Sequence, residues 1–506
     1  MSDFNHFLKS IPHRFTLQQE ELLKSAFECA KEAHKGQKRK SGSDYFEHSQ
    51  ASSVILGKIF PDPPTLTATL MHDVPEDTSV SLEKIKETFG KEIAGLVDGV
   101  TQLGHVRMKN SQDKFYVENL RKLFIATSRD VRVILIKLAD RLHNMRTIEF
   151  ISPEKQKKVA KETLEIYAPI AGRLGIGGWK DELEDLAFHI VYPEEYQKTK
   201  ALLDEELTKR SENLKIMQKS LEHNLRKQGI KFLEVRGRVK RPYSLFKKME
   251  KYKDDIAHIY DIIALRIITR STVDCYATLG AIHKAYQPVP GRIKDYISTP
   301  KPNGYQSIHT SVFCKNGMVF EIQIRTDLMD EESERGIAAH WFYSEQEKGD
   351  RLEALRTNWA KELKAWQEAI ESPEEFLENL KIDFFKDRIF VFTPKGDIKD
   401  LPLGATVIDF AFSVHTDLGY HMMGAKINGK MGSIYDMLKK GDVIEILKSK
   451  QPAKISRDWL EAASTHNAKN RIRHYLSEHD KGIIDRIKQL KLADLKPSLP
   501  RFFRKK

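Results

Sequence analysis

Residues 65–77 read TLTATLMHDVPED, and residues 131–147 read VRVILIKLADRLHNMRT. These stretches set the character of the first part of the chain. In the second, Val131, Ile134, Leu135, Leu138, Leu142 and Met145 recur at helical spacing. Val133 and Ile136 are apolar too, so the first half of this helix is expected to be buried nearly all round. In the first stretch, Pro63 and Pro64 open a helix, because proline is tolerated in a first turn. Pro75 is expected to close it, because the residue before a proline avoids the helical region. Ser81 can cap the next helix and Gly90 can end it. Working outward, residues 1–190 read as helix after helix, an all-α domain.

The ends of those apolar helices carry chemistry. His72, Asp73, Glu76 and Asp77 follow a buried run, and ionisable groups there are costly to bury unless they bind something. Asp140 and Asn144 lie one turn apart on one face of the second helix. His48 stands upstream, after the basic run QKRKSGS. Imidazole with carboxylates suits a divalent ion such as Mn²⁺, Zn²⁺ or Fe²⁺. A metal with open positions makes hydroxide available near neutral pH, and Glu76 or Asp77 can manage protons. Spacing alone does not bring these groups together.

The pattern changes beyond a charged helical stretch at 195–228. YDIIALRIIT (260–269) reads as a buried strand. HTSVFCKNGMVFEIQIRT (309–326) reads as two strands around Asn316-Gly317, a hairpin signal. Period two puts Val319, Glu321, Gln323 and Arg325 on one face and Met318, Phe320, Ile322 and Ile324 on the other. An edge or solvent-facing strand gives the same alternation. Arg236, Arg238, Lys240, Arg241, Lys247 and Lys248 crowd VRGRVKRPYSLFKKM, a pattern that fits either a triphosphate or a solvated helix face. Asp261 opens the buried strand and can carry Mg²⁺. The long polar segment 291–312 between strands offers Tyr296 and Tyr305 as stacking surfaces. Residues 191–345 thus read as a mixed α/β domain. A charged helical linker (346–383), a small α+β module (384–449) and a basic helical tail (450–506) follow.

Composition bounds the rest. A chain of 506 residues is too long for one core. With 31% charged and 40% hydrophobic residues it is neither disordered nor fibrous. The net charge of +12 favours anionic partners. Cys29, Cys275 and Cys314 are far apart and odd in number, which fits a reducing cytoplasm rather than a disulfide framework. The N-terminus has no signal-peptide pattern, and no apolar run reaches the roughly 18 residues that a membrane helix needs.

HDVPEDT and KLADRLHNMRT resemble the hydrolase half of the long RelA/SpoT family, and H…HD…D is the signature of HD-type phosphohydrolases. YDIIALRI, GRIKDYIS, PKPNGYQSIHT, EIQIRT and AAHW match, in order, the synthetase half of the same family, which has a nucleotidyltransferase-like fold. RIFVFTPKGDIKDLPLGATVIDFAFSVHTDLG resembles its TGS domain, a ubiquitin-like (β-grasp) module, and the resemblance ends shortly after it.

The resemblance implies a bifunctional enzyme. One half transfers pyrophosphate from ATP to the 3′-hydroxyl of GDP or GTP, making ppGpp and pppGpp, and the other hydrolyses them. His48, His72, Asp73 and Asp140 are then expected to hold Mn²⁺, Glu76 and Asp77 to assist the attacking water, and Arg39 and Asn144 to hold the substrate. Arg238, Lys240 and Lys248 are expected on ATP, Asp261 and Glu321 at Mg²⁺, with Glu321 also the base. Tyr305 would stack on guanine, and Lys294, Asn303, Gln306 and His309 would line the guanosine side. His415 matches the residue that senses uncharged tRNA on the ribosome. Arg292–Asp295 has the basic RxKD form that members with both activities carry. Two departures are visible: Pro75 replaces a small or branched apolar residue, and Ser49 follows His48 where the family carries proline.

Overall fold

The computed structural model describes residues 3–101, 126–127, 129–252, 259, 261–301, 303–314, 318–336, 388–453 and 455–477. The expected linker and AAHW lie outside these residues, as does the Asn316-Gly317 turn. The chain divides into two compact units, residues 1–367 and 368–506.

The first unit opens with packed helices. Leu17–Ala33 begins with a capping box between Thr16 and Gln19, an arrangement worth about 0.5–2 kcal/mol. Helices Tyr45–Gly57, Pro63–Met71 and Arg132–Arg146 form the centre. Val133, Ile134, Leu135, Ile136 and Leu138 are all at most 2% exposed, so the first half of the last helix is buried all round as its composition requires. Ser81 caps its helix through the Lys84 amide, and Gly90 kinks the run Leu82–Thr101. The helix opened by Pro63 stops at Met71, before Pro75. Pro75 instead sits in the first turn of a separate short helix, Val74–Asp77, where its missing N–H costs nothing. The break falls at His72-Asp73 and turns both side chains inward.

A 35-residue helix, Pro193–Lys227, leads into a five-stranded sheet. Its strands are β1 (Glu234–Val239), β2 (Ile263–Thr269), β3 (Lys294–Asp295), β4 (Ile308–Phe313) and β5 (Val319–Thr326), in the order β1-β2-β5-β4-β3. Only β2 and β5 pair parallel. Phe320, Ile322 and Ile324 join β2 and helices Pro193–Lys227 and Thr272–Ala285 in one apolar core. The alternating strand is therefore central, not an edge, and its polar face is part-exposed at Val319 and Glu321 but covered at Gln323 and Arg325. Its polar face carries Gln323 at 3% exposure and Arg325 at 0%.

The helical part and the sheet domain touch backbone to backbone. Gly175 has φ +76°, and a Cβ there would lie 2.8 Å from Asn303 O and 3.1 Å from Gly336 Cα. Gly336 has φ +58°, and its Cβ would meet Leu174 O. Asn303 Nδ2 donates to Gly172 O at 3.0 Å.

The second unit contains a hairpin, β6 (Arg388–Phe392) with β7 (Ile398–Pro402), and helix Val407–Val414. A three-stranded sheet follows, β8 (Met422–Ile427), β9 (Lys430–Gly432) and β10 (Ile444–Lys448), in the order β10-β8-β9. Trp459, Ala463, Ala468 and Ile472 share its core, so part of the segment read as a tail packs with the module. Asp409 joins them: buried at 1% exposure, its carboxylate accepts from the Ser464 and Thr465 amides and from Thr406 N.

Candidate functional site

His48 projects from helix Tyr45–Gly57, His72 and Asp73 from the break before Val74, and Asp140 from helix Arg132–Arg146. Ligand atoms of His48, His72 and Asp140 lie within 4.8 Å of one another, and all three residues are buried. Asp73 joins them, with Oδ1 3.2 Å from His72 Nε2 and Oδ2 3.5 Å from His48 Nε2. His72 Nδ1 lies 2.7 Å from Thr69 O and must donate to it, which leaves Nε2 bare. That buried nitrogen has no hydrogen-bond partner among the described residues. A buried bare nitrogen among carboxylates is costly alone but is a suitable ligand for a divalent cation. Burial works to raise the Asp140 carboxyl, but Lys137, then His48 and His72, together hold it well below the usual range.

A pocket of about 380 Å³ beside this group has one basic wall, with Lys38, Arg39, Lys40 and Asn144, and one apolar wall, with Ile148, Phe150, Ile151 and Val159. Asn144 Oδ1 accepts from Arg39 Nη2 at 2.7 Å, and its Nδ2 donates to Asp140 Oδ1. One hydrogen-bonded chain thus runs from the basic wall to a buried carboxylate. Glu76 is half-buried on the short helix, whereas Asp77 is exposed and accepts from Tyr45 Oη at 2.6 Å. Tyr45 and His143 are functional candidates that sequence reasoning missed. His143 lies three residues beyond Asp140, and that shared helix face was the available signal. Burial, then His48 and Arg39, push its imidazole down to about 3, so it stays neutral.

The second site is the polar face of the five-stranded sheet. Arg238 Nη1 donates to Gln323 Oε1 at 3.3 Å. Lys240 and Lys248 both hold Asp261 Oδ2, at 2.6 and 2.5 Å. Burial works to raise Asp261, but these two ammonium groups bring it down to about 2. Lys240 itself is pushed down to about 8 by burial. Glu321 lies 3.3 Å from His309 Nδ1, and His309 Nε2 lies 2.8 Å from Tyr305 Oη. Burial works to raise Glu321, but His309 and Gln323 bring it down to about 2.

The remaining positions surround this line. Lys294 pairs with His309 across β3 and β4 and is exposed. Gln306 donates to Ile297 O. The Asn303 amide is turned to the helical part, on Gly172 O. Arg266 and Asp330 were also missed. Arg236, Arg266 and Arg325 converge on the Asp330 carboxylate at 2.6, 3.0 and 2.7 Å. A lone arginine inside the apolar run YDIIALRIIT was the signal for Arg266. In the second unit, exposed His415 caps helix Thr416–Tyr420 by accepting from the Asp417 amide.

A helical domain with a buried His/Asp group of the divalent-metal kind, joined to a mixed sheet whose polar face is lined with cations and carboxylates, defines a multidomain protein of the HD class. Family models agree: an HD domain matches residues 26–177, the region found in RelA/SpoT proteins matches 237–348, and a TGS domain matches 389–448. The guanosine-3′,5′-bis(diphosphate) 3′-pyrophosphohydrolase of Aquifex aeolicus is 42% identical over 481 residues, covering 93% of this chain and 68% of that protein. The chain belongs to the RelA/SpoT family. It is also 43% identical over 463 residues to a GTP pyrophosphokinase of Myxococcus xanthus (91% of this chain, 61% of that protein). To the bifunctional (p)ppGpp synthase/hydrolase SpoT of Escherichia coli it is 41% identical over 455 residues (90% and 64%). The chain thus spans about three fifths of the Myxococcus relative's length. No helix among the described residues is long and apolar enough to cross a membrane.

Proposed function

We propose that this chain is a bifunctional alarmone enzyme of the bacterial stringent response to starvation, acting in the cytoplasm. It makes (p)ppGpp by transferring pyrophosphate from ATP to the 3′-hydroxyl of GDP or GTP, and hydrolyses (p)ppGpp back to GDP or GTP plus pyrophosphate. The observation that carries the reading is the presence of two separate, differently built sites in one chain. One is the buried His48/His72/Asp140 group beside a basic pocket. The other is the polar face of β5. We assign hydrolysis to residues 1–190, synthesis to 191–345 and a TGS module to 384–449.

For hydrolysis, Mn²⁺ held by His48, His72, Asp73 and Asp140 would supply a hydroxide nucleophile near neutral pH. The lone pair of His72 is aimed by its Nδ1–H bond to Thr69 O. Arg39 and Asn144 hold the nucleotide, with Lys38 and Lys40 adding positive charge at the pocket wall. Glu76 and Asp77 take up and return protons, Asp77 being oriented by Tyr45.

For synthesis, Mg²⁺ held by Asp261 and Glu321 would neutralise triphosphate charge. Arg238, Lys240 and Lys248 bind ATP. The two lysines move from Asp261 to phosphate oxygens, so the pair that holds Asp261 is exchanged for ligand contacts. Glu321 is held ionised and receives the proton of the attacking hydroxyl. Tyr305 stacks on guanine, while Lys294, Asn303, Gln306 and His309 line the guanosine. The TGS module would meet the 3′ end of uncharged tRNA on the ribosome at His415.

The test supplies ATP and GDP with Mg²⁺, and separately ppGpp with Mn²⁺. Asp73→Ala should abolish only hydrolysis, and Glu321→Ala only synthesis. Failure to form ppGpp even with ribosomes and uncharged tRNA removes the synthetase assignment. Hydrolysis that survives chelation removes the metal assignment.

A further inference from the structure

The two imidazoles of the metal group are oriented by different devices. His72 gives its Nδ1–H to the Thr69 carbonyl, a common arrangement for a ligating histidine. His48 Nδ1 instead lies 2.8 Å from His143 Nδ1, with the ring centroids 4.8 Å apart. Two ring nitrogens at that separation share one hydrogen, and one of them must be the acceptor.

Arg39 decides which. Its Nη1 lies 3.4 Å from the same His143 Nδ1, and a guanidinium offers only donors. His143 Nδ1 is therefore the acceptor toward both neighbours, and the shared hydrogen belongs to His48 Nδ1. That leaves His48 Nε2 bare. Nε2 is the atom that lies 3.2 Å from Asp140 Oδ1 and 3.5 Å from Asp73 Oδ2.

We propose that His143 is a positioning residue of the hydrolase centre, which fixes the ring and tautomer of His48 so that Nε2 faces the cation, without ligating the cation itself. This rests on the metal-dependent hydrolase reading. Arg39 belongs to both the pocket wall and this relay, so the pocket that receives the nucleotide also braces a ligand of the metal.

The test uses the full chain and Co²⁺ as the probe, with affinity measured by chelator competition and ligand geometry by the visible spectrum of the Co²⁺-loaded protein. His143→Asn keeps an acceptor at the Nδ1 position and should bind Co²⁺ within a few-fold of wild type. His143→Leu should bind about 10–100-fold more weakly and shift the Co²⁺ bands, with helical circular dichroism unchanged. If the Leu variant does not fold, His143→Gln, whose acceptor sits one bond further out, replaces it with the same expectation. Nitrogen-15 histidine spectra of the wild type should show His48 with its hydrogen on Nδ1. Wild-type affinity and spectrum in the Leu or Gln variant, or an Nε2–H tautomer for His48, overturns the proposal and leaves the hydrolase reading standing. Failure of the wild type itself to bind Co²⁺ removes the hydrolase reading instead.

Discussion

Asp330→Asn keeps the shape of a side chain and removes one charge from a crowded ionic cluster in the sheet domain. Three guanidiniums meet that carboxylate. Arg325 is buried at 0% exposure and Arg266 at 8%. Arg236, whose side chain is 39% exposed, is screened by water and adds at most about 1 kcal/mol. Arg325 also donates to Ser333, but its Nε makes no hydrogen bond among the described residues, nor does Arg266 Nε. Arg325 therefore leans on Asp330, and Arg266 does so chiefly, with Glu334 further off at 3.8 Å. Breaking a buried pair by removing one partner costs about 3–5 kcal/mol, because the other charge stays behind without compensation. If the sheet domain at 191–345 melts on its own, each kcal/mol moves its Tm by about 2–4 °C, so the variant should melt about 6–20 °C lower. Differential scanning calorimetry with circular dichroism at fixed ionic strength measures the shift. Adding Arg325→Met removes the abandoned charge and should restore part of the loss. A Tm within about 2 °C of wild type would falsify the reasoning, as would a double variant as unstable as the sum of the singles.

In the second unit, Asp409→Ala removes the acceptor of amides and hydroxyls from Thr406, Ser464 and Thr465. A loss of about 3 kcal/mol or more is expected, with faster hydrogen exchange in 455–477 before the sheet. Gly175→Ala forces a Cβ to 2.8 Å from Asn303 O at φ +76°. It should cost about 1–3 kcal/mol and, on the proposed synthesis reading, raise KM for GDP more than for ATP; equal effects on both would argue against the contact. Asp185 is pushed up to about 6 by burial, despite the Tyr243 amide and Arg241. Its folded value lies above the unfolded one, so its contribution is full below about pH 4 and lost as pH rises through about 6. Urea midpoints of Asp185→Asn should therefore gain on wild type between those values, and a constant difference across them contradicts the assignment.

The helical half was legible because its apolar residues repeat over several turns, and no strand reading survives that length. The position of Pro75 was not, because the backbone after Met71 continues in helical dihedrals through His72 and Asp73 before a new first turn begins. The alternation in β5 gave its two faces correctly but left open whether the polar one was wet. β2 and β4 only make the strand central; the polar face is covered at Arg325 by helix Asp327–Arg335, through Asp330 and Ser333. Asp140 and Asn144 could be placed on one face by spacing. The partnership of His48 with His143 could not, because 95 residues separate them and only the packing of two helices brings them together. Arg266 was hidden for a related reason: a single charge in an apolar strand acquires meaning only when Asp330 is seen opposite it.

The seam between Gly175 and Gly336 has a mechanical consequence. Side chains can hop between rotamers and absorb a small displacement, but main chains in contact cannot. Asn303 is fastened to Gly172 across this seam, and its Oδ1 accepts from the Tyr305 amide two residues on. Two hydrogen bonds through Asn303 thus link the turn at 172–176 to the Tyr305 backbone. The loop that carries the aromatic ring is thereby tied to the helical part of the same unit.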